Sequence, residues 1–271
     1  LGALINNVSL NGNFMLNIGP KANGVVPFET LKRLLEMGDW LSVKGESIYQ
    51  AKAFDLPRNY HDWGKITCKT TKDGKFTMYL HVLRWPCNHE LKLSGIEDEP
   101  LKAWFLSDKS KSAQQFTHKP GLIKISLPVP VSDEMIPVIV LEFAKKPSII
   151  NGLAARTIEG GYNLTFENAY EENGQKPRVP ASRDGAVPAH IATSSYSASW
   201  RIFIEKACRM QVDVSYSYQG KKAAGDITVQ SANNSLSLVP EPTGKTVVEP
   251  NQKYYVDNFP EKNMGYLEFP S

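Results

Sequence analysis

The pattern of apolar positions changes near residue 50. Before that point, residues 14–18 form a short apolar run between Asn-Gly-Asn and Gly-Pro, which is typical of a buried strand in a parallel sheet. Pro27 then favours a helix start, and Leu31, Leu34 and Leu41 recur with the spacing of one helix face. The opening segment therefore predicts one strand, one loop and one helix.

This strand and helix predict a larger neighbour. A parallel strand needs hydrogen-bonding partners at its edges, and an amphipathic helix needs a sheet to cover. The sequence also starts at Leu1 inside the patterned segment, without a charged leader. We expect residues 1–50 to be the closing remnant of a barrel-type domain. Their apolar faces should pack onto the following domain or self-associate through residues 1–48.

A period of two begins near residue 66 and indicates antiparallel strands. Phe76, Met78 and Leu80 alternate with more polar residues, and the Asp73-Gly74 pair predicts a hairpin turn. Further strand-like runs lie at residues 102–106, 122–127 and 138–143. We expect an antiparallel β-sandwich over residues 53–147.

A second all-β stretch follows residue 147. Its strand-like runs lie at residues 162–166, 200–204, 210–218, 226–229 and 236–239. Residues 171–188 are rich in proline, glycine and charge, which indicates a long loop. We expect a second sandwich at residues 152–271. The predicted fold class is mainly β, with two antiparallel β-sandwich domains after a strand-helix remnant of a (β/α)8-type barrel.

Composition excludes several classes of partner and cofactor. The 31 basic and 28 acidic residues are interspersed, so no nucleic-acid footprint exists, and no apolar run of membrane-spanning length is present. Cys68, Cys87 and Cys208 match no zinc pattern, and the five histidines are scattered. We predict no metal and no cofactor, with free thiols and isolated surface or interface histidines. A disulfide between Cys68 and Cys87 stays an alternative.

Two blocks carry a resemblance to a known family. Residues 8–24 (VSLNGNFMLNIGPKANG) and 38–49 (GDWLSVKGESIY) resemble the last barrel strand and the closing helix of α-L-fucosidases of glycoside hydrolase family 29. The resemblance implies a (β/α)8-type catalytic barrel followed by a β-sandwich. It also implies retaining hydrolysis of terminal α-L-fucosides by an Asp nucleophile and a Glu acid/base.

The resemblance places both of those carboxylates upstream of the matched strand. No residue of this chain therefore matches them, and Glu29, Glu36, Asp39 and Glu46 fall on the predicted helix or its exit instead. We expect no catalytic residue here and an inactive isolated chain. The alternative is a carbohydrate-binding module or lectin-like protein that binds glycans without hydrolysis. The parent enzyme would be secreted or periplasmic, with fucosylated glycans as partners and any export signal upstream.

Candidate contact residues fall into two groups. Asn13, Phe14 and Asn17 would lie at the active-site rim of an intact barrel, although the same residues also suit an ordinary turn and strand. In the second sandwich, the carbohydrate-binding candidates are Tyr196, Trp200 and Tyr254. Trp200 also shares its predicted strand face with Ile202 and Ile204, which favours a core position.

A third hypothesis places a new enzymatic site at the junction of the two sandwiches. Its candidates are Trp63, Trp104 and Asp133. A pair of carboxylates at glycosidase-like distance in one cleft would support it.

Overall fold

The computed structural model describes residues 1–57, 60–129, 135–165, 168–169, 197–221, 225–231, 234–249 and 254–270, without the side chains of 246–249 and 254–257. Tyr196, Asp133 and the predicted loop at 171–188 lie outside the described residues, as does the side chain of Tyr254. The chain divides into two compact units. Unit 1 is Leu1–Tyr170 with Ser199–Ile202, and unit 2 is Glu171–Ala198 with Phe203–Ser271.

Unit 1 contains two helices and two antiparallel sheets. The helices are α1 (Gly2–Val8) and α2 (Phe28–Lys44), and a 3-10 turn (Gly45–Ser47) follows α2. The strands are β1 (Lys52–Ala53), β2 (Gly64–Thr70), β3 (Phe76–Val82), β4 (Glu90–Ser94), β5 (Lys102–Phe105), β6 (Phe116–Lys119), β7 (Leu122–Ser126) and β8 (Val138–Phe143). They form a five-stranded sheet, β1-β2-β3-β8-β5, and a three-stranded sheet, β4-β7-β6.

The two sheets of unit 1 share one apolar core. The five-stranded sheet contributes Met78, Leu80 and Leu141, and the three-stranded sheet contributes Leu93 and Ile125. These side chains are all fully buried. The predicted strands at β3 and β8 are confirmed, and so is the Asp73-Gly74 turn, where Gly74 has a φ of 84°.

The helices cover the opposite, outer face of the five-stranded sheet. Tyr79, Trp104 and Val140 point to this face because they alternate with the core positions, and Ile5 and Trp40 pack against them from the helices. β3 is consequently buried on both faces. The helix predicted near Pro27 is confirmed as α2, whereas α1 was not predicted.

The strand predicted at residues 14–18 does not form. Residues 12–20 have neither helical nor strand conformation, and Met15 is 82% exposed. The physical reason is pairing: every ladder between the described strands is antiparallel and lies elsewhere. A parallel strand without neighbours has no backbone partners to hold it.

Unit 2 consists of paired strands. They are β9 (Cys208–Ser215), β10 (Ile227–Ser231), β11 (Asn234–Leu238), β12 (Lys245–Glu249), β13 (Tyr254–Asp257) and β14 (Glu261–Phe269), joined as β9-β14, β10-β11 and β12-β13. Strands were predicted near β9, β10 and β11, but not at β12 to β14. The runs at 162–166 and 200–204 form no strands in their described residues, where only isolated bridges at Tyr162 and Arg201 occur.

Candidate functional site

The rim candidates lie in an exposed segment of unit 1. Asn13 and Asn17 are exposed and Phe14 is partly buried. Large apolar side chains of the same loop and of the first half of α2 also face solvent. We call these the apolar surface: Met15, Leu16, Ile18, Val25, Phe28, Leu31 and Leu35. Single exposed apolar residues are ordinary, but this many within about twenty positions indicates a surface that binds another protein element.

Helix α2 carries apolar side chains on two opposite sides. Phe28, Leu31 and Leu35 follow one helix face, and Phe28 is 71% exposed. Trp40 and Lys44 lie on nearly the opposite side and are buried against unit 1. Among the described residues of unit 1, it is the Trp40 side of the helix that packs against other elements.

The buried side of α2 is fixed by hydrogen bonds to the backbone. The indole Nε1 of Trp40 donates to the carbonyl oxygens of Met135 and Ile136 at 3.0 and 3.1 Å. The ammonium of Lys44 donates to the Met135 oxygen at 3.2 Å and lies 5.9 Å from the centre of the Trp40 ring. These contacts hold α2 in one orientation, with the apolar surface directed outward.

A polar network continues beneath the 3-10 turn. The hydroxyl of Tyr79 donates to a Glu46 carboxylate oxygen at 2.6 Å, and Thr67 donates its hydroxyl to the Ser47 carbonyl at 2.7 Å. Thr67 Oγ1 also lies 3.0 Å from His81 Nε2. Burial raises the pKa of Tyr79 above its ordinary value, assisted by Glu46. Burial lowers the pKa of His81 to about 3, so this imidazole is neutral.

Two of the five histidines do not lie at the surface. His61 and His81 are 5% and 0% exposed. His61 Nε2 accepts a hydrogen bond from the Ser94 backbone N–H, and burial lowers the pKa of His61 to about 3. The alternation along β3 assigns His81 to solvent, but the helices cover that face of the sheet.

The three cysteines are free thiols, so the alternative of a Cys68–Cys87 disulfide is wrong. Burial raises the pKa of the Cys68 thiol to about 11, which makes it unreactive. Within the described ranges, no group of three or more metal-ligating side chains comes together.

The structure does not bring Trp63 and Trp104 together. Trp63 belongs to the core between the two sheets, whereas Trp104 lies on the outer face under the helices. The five-stranded sheet separates them, and the Trp63 indole donates to the Lys92 carbonyl at 3.0 Å. Trp63 and Trp104 therefore do not line one common site, and Asp133 lies outside the described residues.

Of the carbohydrate-binding candidates, only the Trp200 side chain is described. It is partly buried in unit 1, and its indole Nε1 donates to the Thr165 carbonyl oxygen at 2.7 Å. An exposed aromatic that the sequence analysis missed is Tyr266 on β14, which is 50% exposed. A bulge between Asn263 and Gly265 breaks the period of two, so the alternation gave no signal for it.

Comparison with known proteins connects the first unit to one enzyme family. Residues 1–46 match the family model described as Alpha-L-fucosidase. Tissue α-L-fucosidase of Macaca fascicularis is 37% identical over 96 residues, which cover 35% of this chain and 19% of that enzyme. α-L-Fucosidase of Dictyostelium discoideum is 31% identical over 128 residues, covering 46% and 25% respectively. The matched parts thus span a quarter or less of these two relatives.

The fold agrees with this relationship over nearly the whole chain. The crystal structure of α-L-fucosidase from Vibrio sp. strain EJY3 superposes with a TM-score of 0.64 and 21% identity, covering 99% of this chain and 44% of that one. The chain is thus mainly β and has the fold of the matched part of that structure. In sequence, residues 1–46 are similar to the α-L-fucosidase family, and the similarity to tissue α-L-fucosidase extends over 96 residues. Among the described residues, no helix is long and apolar enough to cross a bilayer.

Proposed function

We propose that this chain is the non-catalytic C-terminal accessory region of an α-L-fucosidase-like retaining glycoside hydrolase. The observation that carries the proposal is the combination of a family match at residues 1–46 with an unpaired apolar surface in the same segment. In this proposal, residues 1–50 close a catalytic barrel, and the domains at 53–147 and 152–271 brace it.

The segment at residues 14–18 explains why such a barrel is needed. Met15, Leu16 and Ile18 are exposed, and the backbone of the segment lies outside every described ladder. Pairing with a neighbouring barrel strand would satisfy that backbone and bury Met15 and Leu16. The same pairing would place Asn13, Phe14 and Asn17 at the rim where barrel enzymes bind substrate.

Two of the four acidic residues of residues 1–50 bind other side chains of this chain. Glu36 lies 2.9 Å from the guanidinium of Arg33, and Glu46 accepts the Tyr79 hydroxyl. Retaining hydrolysis needs two carboxyl groups about 5 to 5.5 Å apart across the glycosidic bond. We assign those two groups, an Asp and a Glu, to the catalytic barrel and none to this chain. The substrates of the complete enzyme would be fucosylated glycans.

Sedimentation velocity tests the apolar surface. Without a barrel, the exposed Phe28, Leu31 and Leu35 should pack against the same residues of a second copy. The weight-average mass should therefore rise above that of the monomer as the protein concentration increases. A Leu31→Asp/Leu35→Asp variant should stay monomeric. The matched control is Leu101→Asp, which changes a single leucine of similar exposure outside the surface and should self-associate as the wild type does. A wild-type chain that stays strictly monomeric would contradict this use of the surface.

A second candidate function is glycan binding without hydrolysis. It is favoured by the exposed aromatic and amide side chains on one face of the β9-β14 pair. Such a function is compatible with the first, because an accessory region can hold a glycan near a catalytic barrel. Both candidates suit an exported parent enzyme, which meets its glycans outside the cytoplasm.

A further inference from the structure

One face of the β9-β14 pair in unit 2 is lined by hydrogen-bonding groups. The exposed positions of β9 include Arg209, Gln211 and Asp213, which alternate with partly buried residues. Those of β14 include Asn263 and Tyr266, which lie opposite Asp213 and Gln211 in the ladder. We call these five residues the β9-β14 face.

A β-bulge brings the two β14 residues onto the same side. Positions 263 and 266 would point to opposite faces of a regular strand, since their separation is odd. The ladder shifts register between Asn263 and Gly265, and Gly265 adopts a φ of 114°, which is costly for other residues. Bulges recur where a strand must re-aim a side chain. Here the bulge joins an aromatic ring to the amide and carboxylate neighbours.

Hydrogen bonds order the polar groups of the face. Gln211 donates its amide to both Asp213 carboxylate oxygens, at 3.0 and 2.8 Å, and Asn263 donates to one of them at 2.8 Å. The Tyr266 hydroxyl lies 3.3 Å from Gln211 Oε1. The four side chains thus form one connected row at the surface, which lowers the entropy cost of binding a ligand.

The aromatic ring of Tyr266 is also held in place, by the neighbouring Arg209. The guanidinium of Arg209 lies 4.5 Å from the centre of the Tyr266 ring and covers one of its faces. The side chain nevertheless remains 50% exposed. An aromatic surface next to amide and carboxylate groups matches a pyranose, which has an apolar C–H face and hydroxyl groups around its edge.

We propose that the β9-β14 face binds a neutral pyranose at the end of a glycan. The ring of Tyr266 packs against the apolar face of the sugar. Asp213 accepts hydrogen bonds from hydroxyl groups, and Asn263 and Gln211 fix their directions. The Asp213 carboxylate disfavours anionic sugars, because it lies at the centre of the row. This inference deepens the second candidate function by naming its site and its ligand class.

The test is a titration of the whole chain with monosaccharides, which is monitored by two-dimensional ¹H–¹⁵N NMR spectra. The probes are methyl α-L-fucoside and methyl β-D-galactoside up to about 50 mM, because one sugar on an open surface binds with roughly millimolar affinity. N-Acetylneuraminic acid is the anionic probe. We expect at least one neutral probe to shift the amides of β9 and β14, and the anionic probe to leave them unchanged.

Variants assign the binding to Tyr266. Tyr266→Ala should weaken the affinity at least roughly tenfold, whereas Tyr266→Phe keeps the ring and should stay within roughly threefold of the wild type. The matched control is Tyr49→Ala, which removes a tyrosine of similar exposure from unit 1 and should leave the affinity for the sugar unchanged. Equal melting temperatures of the three variants and the wild type show that the fold is retained.

Three results would overturn the inference. They are the absence of shifts with both neutral probes, undiminished binding by a folded Tyr266→Ala variant, and preferential binding of the anionic probe. None of them bears on the first candidate function, since neither the apolar surface nor the assignment of catalysis to a barrel involves Tyr266.

Discussion

The hydroxyl of Tyr79 donates a 2.6 Å hydrogen bond to Glu46, and this pair connects the 3-10 turn after α2 to the centre of the five-stranded sheet. Tyr79 is 1% exposed, whereas Glu46 faces solvent. The bond thus fixes the exit of the family-matched segment on the sheet that follows it. A carboxylate of this segment acts as a structural hydrogen-bond acceptor, which suits an accessory region.

Removal of this hydroxyl should cost a modest amount of stability. Tyr79→Phe keeps the ring in place, and water can replace the lost donor at the exposed Glu46, so the free energy of unfolding should fall by about 0.5–1.5 kcal/mol. Urea denaturation measures the change. Tyr49→Phe is the matched control, because Tyr49 is 60% exposed and should show no change. Equal losses in the two variants would contradict a specific role for the Tyr79–Glu46 bond.

Loss of the Thr67 hydroxyl should cost more stability than loss of the Tyr79 hydroxyl, because both hydrogen-bonding partners of Thr67 are buried. Thr67→Val has nearly the same shape but leaves the Ser47 carbonyl and His81 Nε2 without the threonine hydroxyl. Each buried group that loses its partner costs about 1–3 kcal/mol, so we expect a loss of about 2 kcal/mol or more. Thr228→Val, at an exposed position of β10, should stay within about 0.5 kcal/mol of the wild type. A neutral Thr67→Val substitution would show that the network is not stabilising.

The two buried histidines predict a loss of stability in mild acid. Burial holds the pKa of both His61 and His81 at about 3, whereas histidine in an unfolded chain titrates near 6.5. Below about pH 6.5 the unfolded chain therefore binds protons that the folded chain does not. Stability should fall as the pH drops from about 6.5 toward 3, by up to about 1.4 kcal/mol per pH unit for each histidine.

Urea denaturation between about pH 6.5 and 5 measures this slope, because few carboxylates titrate there. His81→Gln keeps a hydrogen-bonding side chain at the position without a titrating imidazole. In this variant, the slope of the unfolding free energy against pH should be smaller by about the contribution of one histidine. An unchanged slope would contradict the assignment of the acid sensitivity to the buried imidazole.

Gly64 is predicted to be intolerant of a side chain. A Cβ at this position would lie 1.9 Å from the carbonyl oxygen of His81, which belongs to the backbone of the paired strand. Gly64→Ala should therefore lower the free energy of unfolding by about 1–3 kcal/mol or more. Gly38→Ala is the matched control. Its Cβ meets nothing within 4 Å in the exposed interior of α2, so it should raise stability by about 0.5–1 kcal/mol. Equal effects would contradict the close approach at Gly64.

Strand β3 shows how far the sequence determined the fold. The alternation of Phe76, Met78 and Leu80 predicted the strand and its core-facing side, because residues two apart share a face. The same pattern assigns Tyr79 and His81 to solvent, yet both are buried. The helices that cover them come from residues 1–50, and a local pattern contains no information about that long-range packing.

The candidate sites were less predictable, again for physical reasons. The apolar run at residues 14–18 predicts a strand, but a strand forms only where a neighbouring strand supplies its hydrogen bonds. The exposed Tyr266 was missed because the bulge at Gly265 shifts the period by one residue. Backbone irregularities and partners outside the segment thus limited the sequence analysis, whereas the family resemblance of the first fifty residues was confirmed.

The hydrolysis of 4-nitrophenyl α-L-fucoside by the purified chain tests the central claim most directly. The α-L-fucosidase of Vibrio sp. strain EJY3, whose structure is more than twice as long as the shared region, serves as the positive control. If catalysis belongs to a barrel and this chain is its accessory region, release of 4-nitrophenol will equal that of the buffer blank. Reproducible turnover that is proportional to the concentration of the chain would contradict the account.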